Sequence, residues 1–248
     1  MSTTPRLYCP KPLQAQQPVT LEKDAQRYLL KVLRLGEGSE LYLFNGEGGA
    51  WLCRITQTST PMQVLPVDFE PEPSPKLHIT LVQGLSRSGP MELVIQKSVE
   101  LGLHQLIPLQ SRRSVAKAKG EQKLDRWNRI ATEAAEQCRR TRLMQITPVT
   151  QWEKLQEQLP KEGPRLLFWE DSRSQSPSLQ HWAQSQLEIP QQLTLLIGPE
   201  GGLTEEEVQQ AYTHLGFEPC TLGPRVLRTE TAALAAITAI QVLLGDMA

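Results

Sequence analysis

Cysteine is scarce in this 248-residue chain, and the four present, Cys9, Cys53, Cys138 and Cys220, are far apart. No CxxC pair occurs, and no histidine stands at zinc-finger spacing from two cysteines. That pattern excludes a structural zinc site and argues against a disulfide framework. Net charge is nearly absent: 26 Lys and Arg face 27 Asp and Glu, a formal charge of −1. The molecule as a whole therefore gives no sign of an acidic partner. Long apolar runs are missing as well. The opening MSTTPRLYCPKPL has no apolar core of a signal peptide. The longest apolar stretch, residues 232–244, is too short to cross a bilayer and is interrupted by Thr238 and Gln241. These absences predict a soluble, cytoplasmic protein with no metal and no membrane partner.

What is present divides into two parts. An apolar content of 39% suffices for a buried core, and the length suits one large domain or two small ones. The segment PVDFEPEPSPK, residues 66–76, carries four prolines and three acids and reads as an interdomain linker. Before it, apolar residues alternate through Leu41 and Leu43 and again through Trp51, Cys53 and Ile55, with Asn45-Gly46 between, as in a β-hairpin. Beyond it, apolar runs alternate with helical stretches, which implies a parallel sheet covered by helices. The expected organisation is a small β-rich domain over 1–72 and an α/β domain over 73–248. Residues 172–178, SRSQSPS, read as a loop. Charge is concentrated locally: residues 112–142 hold ten Lys and Arg (among them Lys117, Lys119, Lys123, Arg126 and Arg129) against the acids Glu121, Asp125, Glu133 and Glu136. Such a stretch suits a phosphate backbone or a solvated helix face. Trp127, Ile130, Ala131, Ala134 and Cys138 recur at helical spacing, so one side of that helix is buried.

Ligands of parallel sheets bind at the carboxyl ends of strands. That rule draws attention to LLIGPEGGLTEEEV, residues 195–208. It is not a phosphate loop, because GxxxxGK[ST] requires a lysine that is absent, and the GxGxxG spacing of a dinucleotide fingerprint is absent too. Thr204 and Glu207 form a T-x-x-E capping box, and with Glu205 and Glu206 they put three carboxylates in the first helical turn. Those acids satisfy the helix dipole and repel phosphate. The loop fits a neutral or cationic nucleoside, or else is simply a tight strand-to-helix turn. A second loop, TLGPRVLRTETAALAAI, residues 221–237, repeats strand, Gly-Pro and helix, with Arg225 and Arg228 between and Thr229 as a plausible N-cap. The alanine-rich helix after it is apolar on most faces and must be buried, in the core alone or at a subunit interface as well.

The two strings together resemble the ribosomal RNA small subunit methyltransferase E family, of the SPOUT class. The resemblance extends to KVLRLGEGSELYLFNGEG at 31–48, similar to the family's PUA-like N-terminal β-barrel, and to IQKSVELGL at 95–103 and EAAEQCRRTR at 133–142. It implies a C-terminal SPOUT-type parallel sheet with a trefoil knot. It also implies a homodimer that uses S-adenosyl-L-methionine to methylate N3 of a uridine, position 1498, in 16S ribosomal RNA within a small-subunit particle. Carried over by motif, cofactor binding falls to Leu196, Ile197, Gly198, Pro199, Glu200 and Gly201 of the first loop. Leu222, Gly223, Pro224, Val226, Leu227 and Arg228 follow from the second. Two departures stand in a segment expected to face RNA: Arg139 where the family commonly has glycine, and Met144 where a proline is usual.

Methyl transfer from a sulfonium needs orientation and a competent nucleophile. Uridine N3 must lose its proton before or during attack. Arg228 and Arg225 are candidates for stabilising the developing charge or gripping phosphate, since arginine stays charged and offers a planar fork. Glu230 is a candidate base, or an ordinary first-turn acid paired with Arg228. RNA contacts are expected from Arg6, Arg34, Arg112, Arg113, Arg139, Arg140 and Arg142. Lys97 joins them, unless it only forms a helical pair with Glu100. The alternatives are a methyltransferase of another ribosomal or transfer RNA site and a non-catalytic RNA-binding assembly factor.

Overall fold

The computed structural model describes residues 4–114, 121–170 and 176–247. Lys117, Lys119, the Glu121 side chain and positions 172–175 of the serine-rich stretch lie outside the described residues. The chain forms two units. One holds residues 1–74 together with 135–143, the other residues 75–134 and 144–248. This division differs from the one expected, because a segment far along the chain joins the N-terminal unit.

The N-terminal unit is a curled five-stranded half-barrel. Its elements are β1 (Arg6–Tyr8), β2 (Val19–Thr20), α1 (Lys23–Arg27) continued by a π-turn (Tyr28–Val32), β3 (Glu40–Phe44), β4 (Ala50–Gln57) and β5 (Gln63–Glu70). Strand order is β1-β3-β4-β5-β2, so β1 and β2 are its edges. The expected hairpin is β3 and β4, antiparallel with Leu41 opposite Cys53 and Leu43 opposite Trp51. Alternation places Leu41, Leu43, Cys53 and Ile55 on the buried face, where they meet Leu7, Leu29, Met62 and Val64. The connection between the two strands is longer than an Asn-Gly turn. It runs through Gly48, whose φ of 103° lies in a region that side chains rarely adopt, and the Arg142 guanidinium lies against its backbone. The linker expected over 66–76 is shorter, since β5 extends to Glu70. Pro66 sits opposite Cys53 at a register shift, the irregular kind of position at which a strand tolerates a missing N–H.

Long-range hydrogen bonds bring residues 135–143 into this unit. The Glu136 carboxylate accepts from the Tyr8 N–H at 2.8 Å. The Thr141 hydroxyl accepts from Gly49 N–H at 2.6 Å and donates to the Glu72 carboxylate. Arg142 donates to the Glu47 carbonyl at 2.8 Å. Arg139 has φ 66°, the left-handed region that glycine enters without cost, which gives a physical reason for a glycine at this place.

The C-terminal unit carries one sheet in which every pairing is parallel. In chain order its elements are β6 (His78–Gly84), α2 (Ser88–Glu100), β7 (Gln105–Gln110), α3 (Glu121–Cys138), β8 (Gln145–Ile146), β9 (Thr150–Gln151) and α4 (Leu155–Gln158). They continue with β10 (Arg165–Phe168), α5 (Leu179–Gln184), β11 (Gln192–Ile197), α6 (Glu205–Thr213), β12 (Glu218–Cys220) and α7 (Thr229–Leu244). The strand order is β12-β10-β11-β6-β7-β8, with β9 also on β7. A sheet covered on both faces needs apolar residues at consecutive positions. Accordingly, every residue of β6 after His78 is buried, as are Leu193 through Ile197 of β11. Helix α3 buries Trp127, Ala131 and Ala134. Met144 is 4% exposed, so this departure is a core residue, not the RNA-facing one expected.

Arg139→Gly should raise unfolding stability by roughly 0.5–1 kcal/mol, the left-handed penalty less glycine's extra unfolded-chain entropy. Urea unfolding of the two proteins measures it; a destabilised variant would show that the arginine's contacts outweigh the strain.

Candidate active site

Four parallel strands, β6, β10, β11 and β12, end around a cavity of about 600 Å³. That volume suits a nucleoside-sized ligand. Strand β11 delivers Ile197 and turns through Gly198, Pro199 and Glu200; β12 delivers Cys220 and turns through Thr221, Leu222 and Gly223. The first turn is close-packed. Gly84, at the end of β6, lies so near the Gly198–Pro199 peptide that a Cβ on it would stand 2.3 Å from the Pro199 nitrogen. Only glycine lets the two backbones meet there.

Helix α6 starts as its residues dictate. Thr204 is the N-cap, its hydroxyl accepting from Glu207 N–H at 3.2 Å while the Glu207 carboxylate accepts from Thr204 N–H at 2.9 Å. The three glutamates are then put to separate uses. Glu207 is buried and also accepts from the Arg112 backbone N–H at 2.9 Å. Glu206 binds the Arg112 guanidinium and holds its pKa above the ordinary value. Three carboxylates crowd this helix start, and their charge disfavours phosphate there.

The second loop behaves differently. Arg228, not Thr229, is the N-cap of α7; Thr229 is the first helical residue, and its hydroxyl caps nothing. Its partners lie outside its own helix, so sequence spacing could not foresee them. Arg225, Arg228 and Glu230 all border the cavity. Among the described residues, none of the three has an ion-pair or side-chain hydrogen-bond partner. The Arg228–Glu230 pair allowed for above does not form. Across the cavity mouth, Arg87 approaches Glu200 at 3.9 Å. With the Arg87 side chain three-quarters exposed, such a contact is worth at most about 1 kcal/mol and yields readily.

Of the residues expected to hold cofactor, Ile197, Gly198, Pro199, Glu200, Leu222, Gly223, Val226, Leu227 and Arg228 line this cavity. Leu196, Gly201 and Pro224 do not. Leu196 points into the core beneath the sheet, because strand neighbours alternate faces. Gly201 lies against the Arg113 backbone carbonyl, and Pro224 faces solvent. Sequence reasoning overlooked Arg87, Phe168, Trp169, Glu170 and Cys220 on the wall. Applying the strand-end rule to every apolar run, RLLFWED and FEPC included, would have found most of them. Burial pushes the Cys220 thiol up to about 12, so it is fully protonated at neutral pH.

The expected RNA residues are divided between the units and mostly engaged. Arg6 pairs with Glu70 at 3.1 Å and lies over the Tyr42 ring. Lys97 pairs with Glu100 at 2.7 Å. Arg113 donates to the Leu203 carbonyl at 3.4 Å. Arg140 is half-buried, and loss of solvent lowers its pKa against the pull of Glu72. Arg34 and Arg139 are exposed, both with positive φ.

With this geometry in place, comparison with known proteins is direct. Residues 72–241 match the RNA methyltransferase domain family, and residues 21–61 match the RNA methyltransferase PUA domain. The Ribosomal RNA small subunit methyltransferase E of Bacillus subtilis is 33% identical over 230 residues, which cover 88% of this chain and 89% of that protein. The enzyme of the same name from Neisseria gonorrhoeae, solved bound to S-adenosyl methionine, superposes with a TM-score of 0.88 at 34% identity, covering 99% of this chain and 100% of the other. A Legionella pneumophila protein solved with the bound cofactor SAM gives the same TM-score at 32% identity, covering 99% and 100%.

The Gly198–Pro199 peptide, held by the sheet, leaves an added methyl on Gly84 no room. Gly84→Ala should therefore lose about 1–3 kcal/mol of stability, the usual cost of overpacking. Chemical denaturation tests this; an unchanged midpoint would mean the first loop is free to move away from β6.

Proposed function

The chain belongs to the ribosomal RNA small subunit methyltransferase E family, and from that premise we propose that it transfers the methyl group of S-adenosylmethionine to N3 of uridine 1498 in 16S ribosomal RNA. The cavity at the strand ends carries this reading. Its two Gly-Pro loops wall a nucleoside-sized space, and the three carboxylates in the first turn of α6 disfavour a phosphate beside the first of them. The cofactor brings the electrophilic methyl group. The chain brings orientation, which contributes roughly 7–11 kcal/mol in a well-held pair of reactants.

Arg225 and Arg228, free of protein partners among the described residues, are available to the negative charge that develops on the uracil oxygens or to a flanking phosphate. Glu230 is available to take the N3 proton; Glu200 and Glu170 are the other carboxylates on the wall. The half-barrel is assigned an RNA-positioning role, with Arg34 and Arg139 among its exposed arginines. We also assign a homodimer in the cytoplasm acting on a small-subunit particle. In support of the dimer, the outer side of α7 presents Leu234, Ala235, Thr238 and Ala239 beside Leu93 of α2, with Val242 and Leu243 exposed further along. No helix among the described residues is long and apolar enough to cross a membrane. A trefoil-knotted path is likewise proposed, supported by the two loops sharing one cavity.

Calorimetry with S-adenosylmethionine separates an enzyme from a non-catalytic assembly factor, which would show no binding. Mass spectrometry of ribosomal RNA from cells lacking the protein should show the loss of one 3-methyluridine; its persistence refutes the uridine assignment. Arg228→Ala should lower methyl transfer by about 10²–10³-fold, as expected for removing one transition-state donor, with the thermal midpoint preserved. Equal loss of activity and stability would instead make Arg228 structural.

A further inference from the structure

A helix normally starts at a residue whose side chain caps it, and a buried amide normally has every polar atom paired. The start of α7 at Arg228–Thr229 and the Gln83 amide depart from both at the same point. Thr229 is 7% exposed and Gln83 is fully buried. The single Thr229 hydroxyl proton is directed at the Gly198 carbonyl, 2.6 Å away. The same oxygen accepts from Gln83 Nε2 at 2.8 Å, and Nε2 donates again to the Gly84 carbonyl at 3.1 Å. Because the hydroxyl proton is committed to a carbonyl, its other partner must be a donor. That fixes the amide orientation and leaves Gln83 Oε1 with no partner among the described residues.

Three segments are thereby joined by one hydroxyl: the end of β6, the first cavity loop and the start of α7. The carbonyl it holds belongs to Gly198 on the cavity wall, and the residues on either side of it are Arg228 and Glu230. Neither the uncapped helix nor the orphaned amide oxygen serves stability; an apolar residue at position 83 and a cap on α7 would serve it better. We infer that Gln83 and Thr229 are positioning residues that hold the Gly198 loop and the Arg228–Glu230 segment in register around the methyl donor. This rests on the S-adenosylmethionine reading of the cavity.

The test is cofactor affinity, measured by calorimetry on the full chain at a temperature where each variant is folded. Thr229→Val keeps the shape and removes the hydroxyl; affinity should fall on the order of tenfold, the worth of one buried hydrogen bond. Thr229→Ser should remain within about twofold of the unaltered chain, since its hydroxyl reaches the same partners. Gln83→Met, nearly isosteric, should weaken cofactor binding severalfold while leaving the unfolding midpoint equal or higher, because it also removes the orphaned oxygen. A merely structural pair would lose stability in step with affinity. Affinity in Thr229→Val or Gln83→Met equal to that of the unaltered chain, or serine failing to rescue, overturns the inference and leaves the proposed function standing. Absence of binding by the unaltered chain overturns both.

Discussion

The cavity depends on how closely two backbones approach at the end of β6. Where Gly84 meets the Gly198–Pro199 peptide there is no space for a single methyl group. This contact fixes where the first loop leaves the sheet. From that fixed point the Gly198 carbonyl reaches the Thr229 hydroxyl, and α7 begins beside it. The N-terminus of α6 is anchored separately, by its own capping box and by the Arg112 backbone. Two loops that are distant in sequence become neighbours because one residue lacks a side chain and another uses its hydroxyl outside its own helix.

Charge is distributed with similar economy. Several basic residues that look available in the sequence are neutralised by acids: Lys97 by its helical neighbour Glu100, and Arg6 and Arg112 by Glu70 and Glu206, which no local pattern reveals. Near-neutral composition makes this pairing possible. Against that background, the arginines on the cavity wall carry information. Arg225 and Arg228 have no protein partner among the described residues, so their charge is available to a ligand instead of being spent on the fold.

Features with short-range causes were legible from the sequence. The α6 capping box needs only residues three apart, and the β3–β4 hairpin only alternation and a glycine-rich connection. The parallel sheet followed from apolar runs in β–α alternation, and the two Gly-Pro loops from their place at the ends of those runs. What escaped depends on distance. The partners of Thr229 lie 146 and 31 residues away, so a local rule made it a cap. Residues 135–143 read as more of the C-terminal domain until Glu72, Tyr8 and Gly49 showed what they bind. Pro66 suggested a linker because a bulge in a partner strand cannot be seen from the proline alone. Met144 was expected to face RNA from its place in a family motif, and it is a buried core residue instead.

A sulfonium methyl donor alkylates soft nucleophiles, and sulfur anions are the softest a protein offers. Cys220 is on the wall of the same cavity. At its ordinary pKa about one thiol in a hundred would be ionised at neutral pH; at about 12 the fraction is on the order of one in 10⁵. Desolvation of this side chain therefore acts as chemical insulation: a thiol on the wall of the cavity is kept from competing for an activated methyl group.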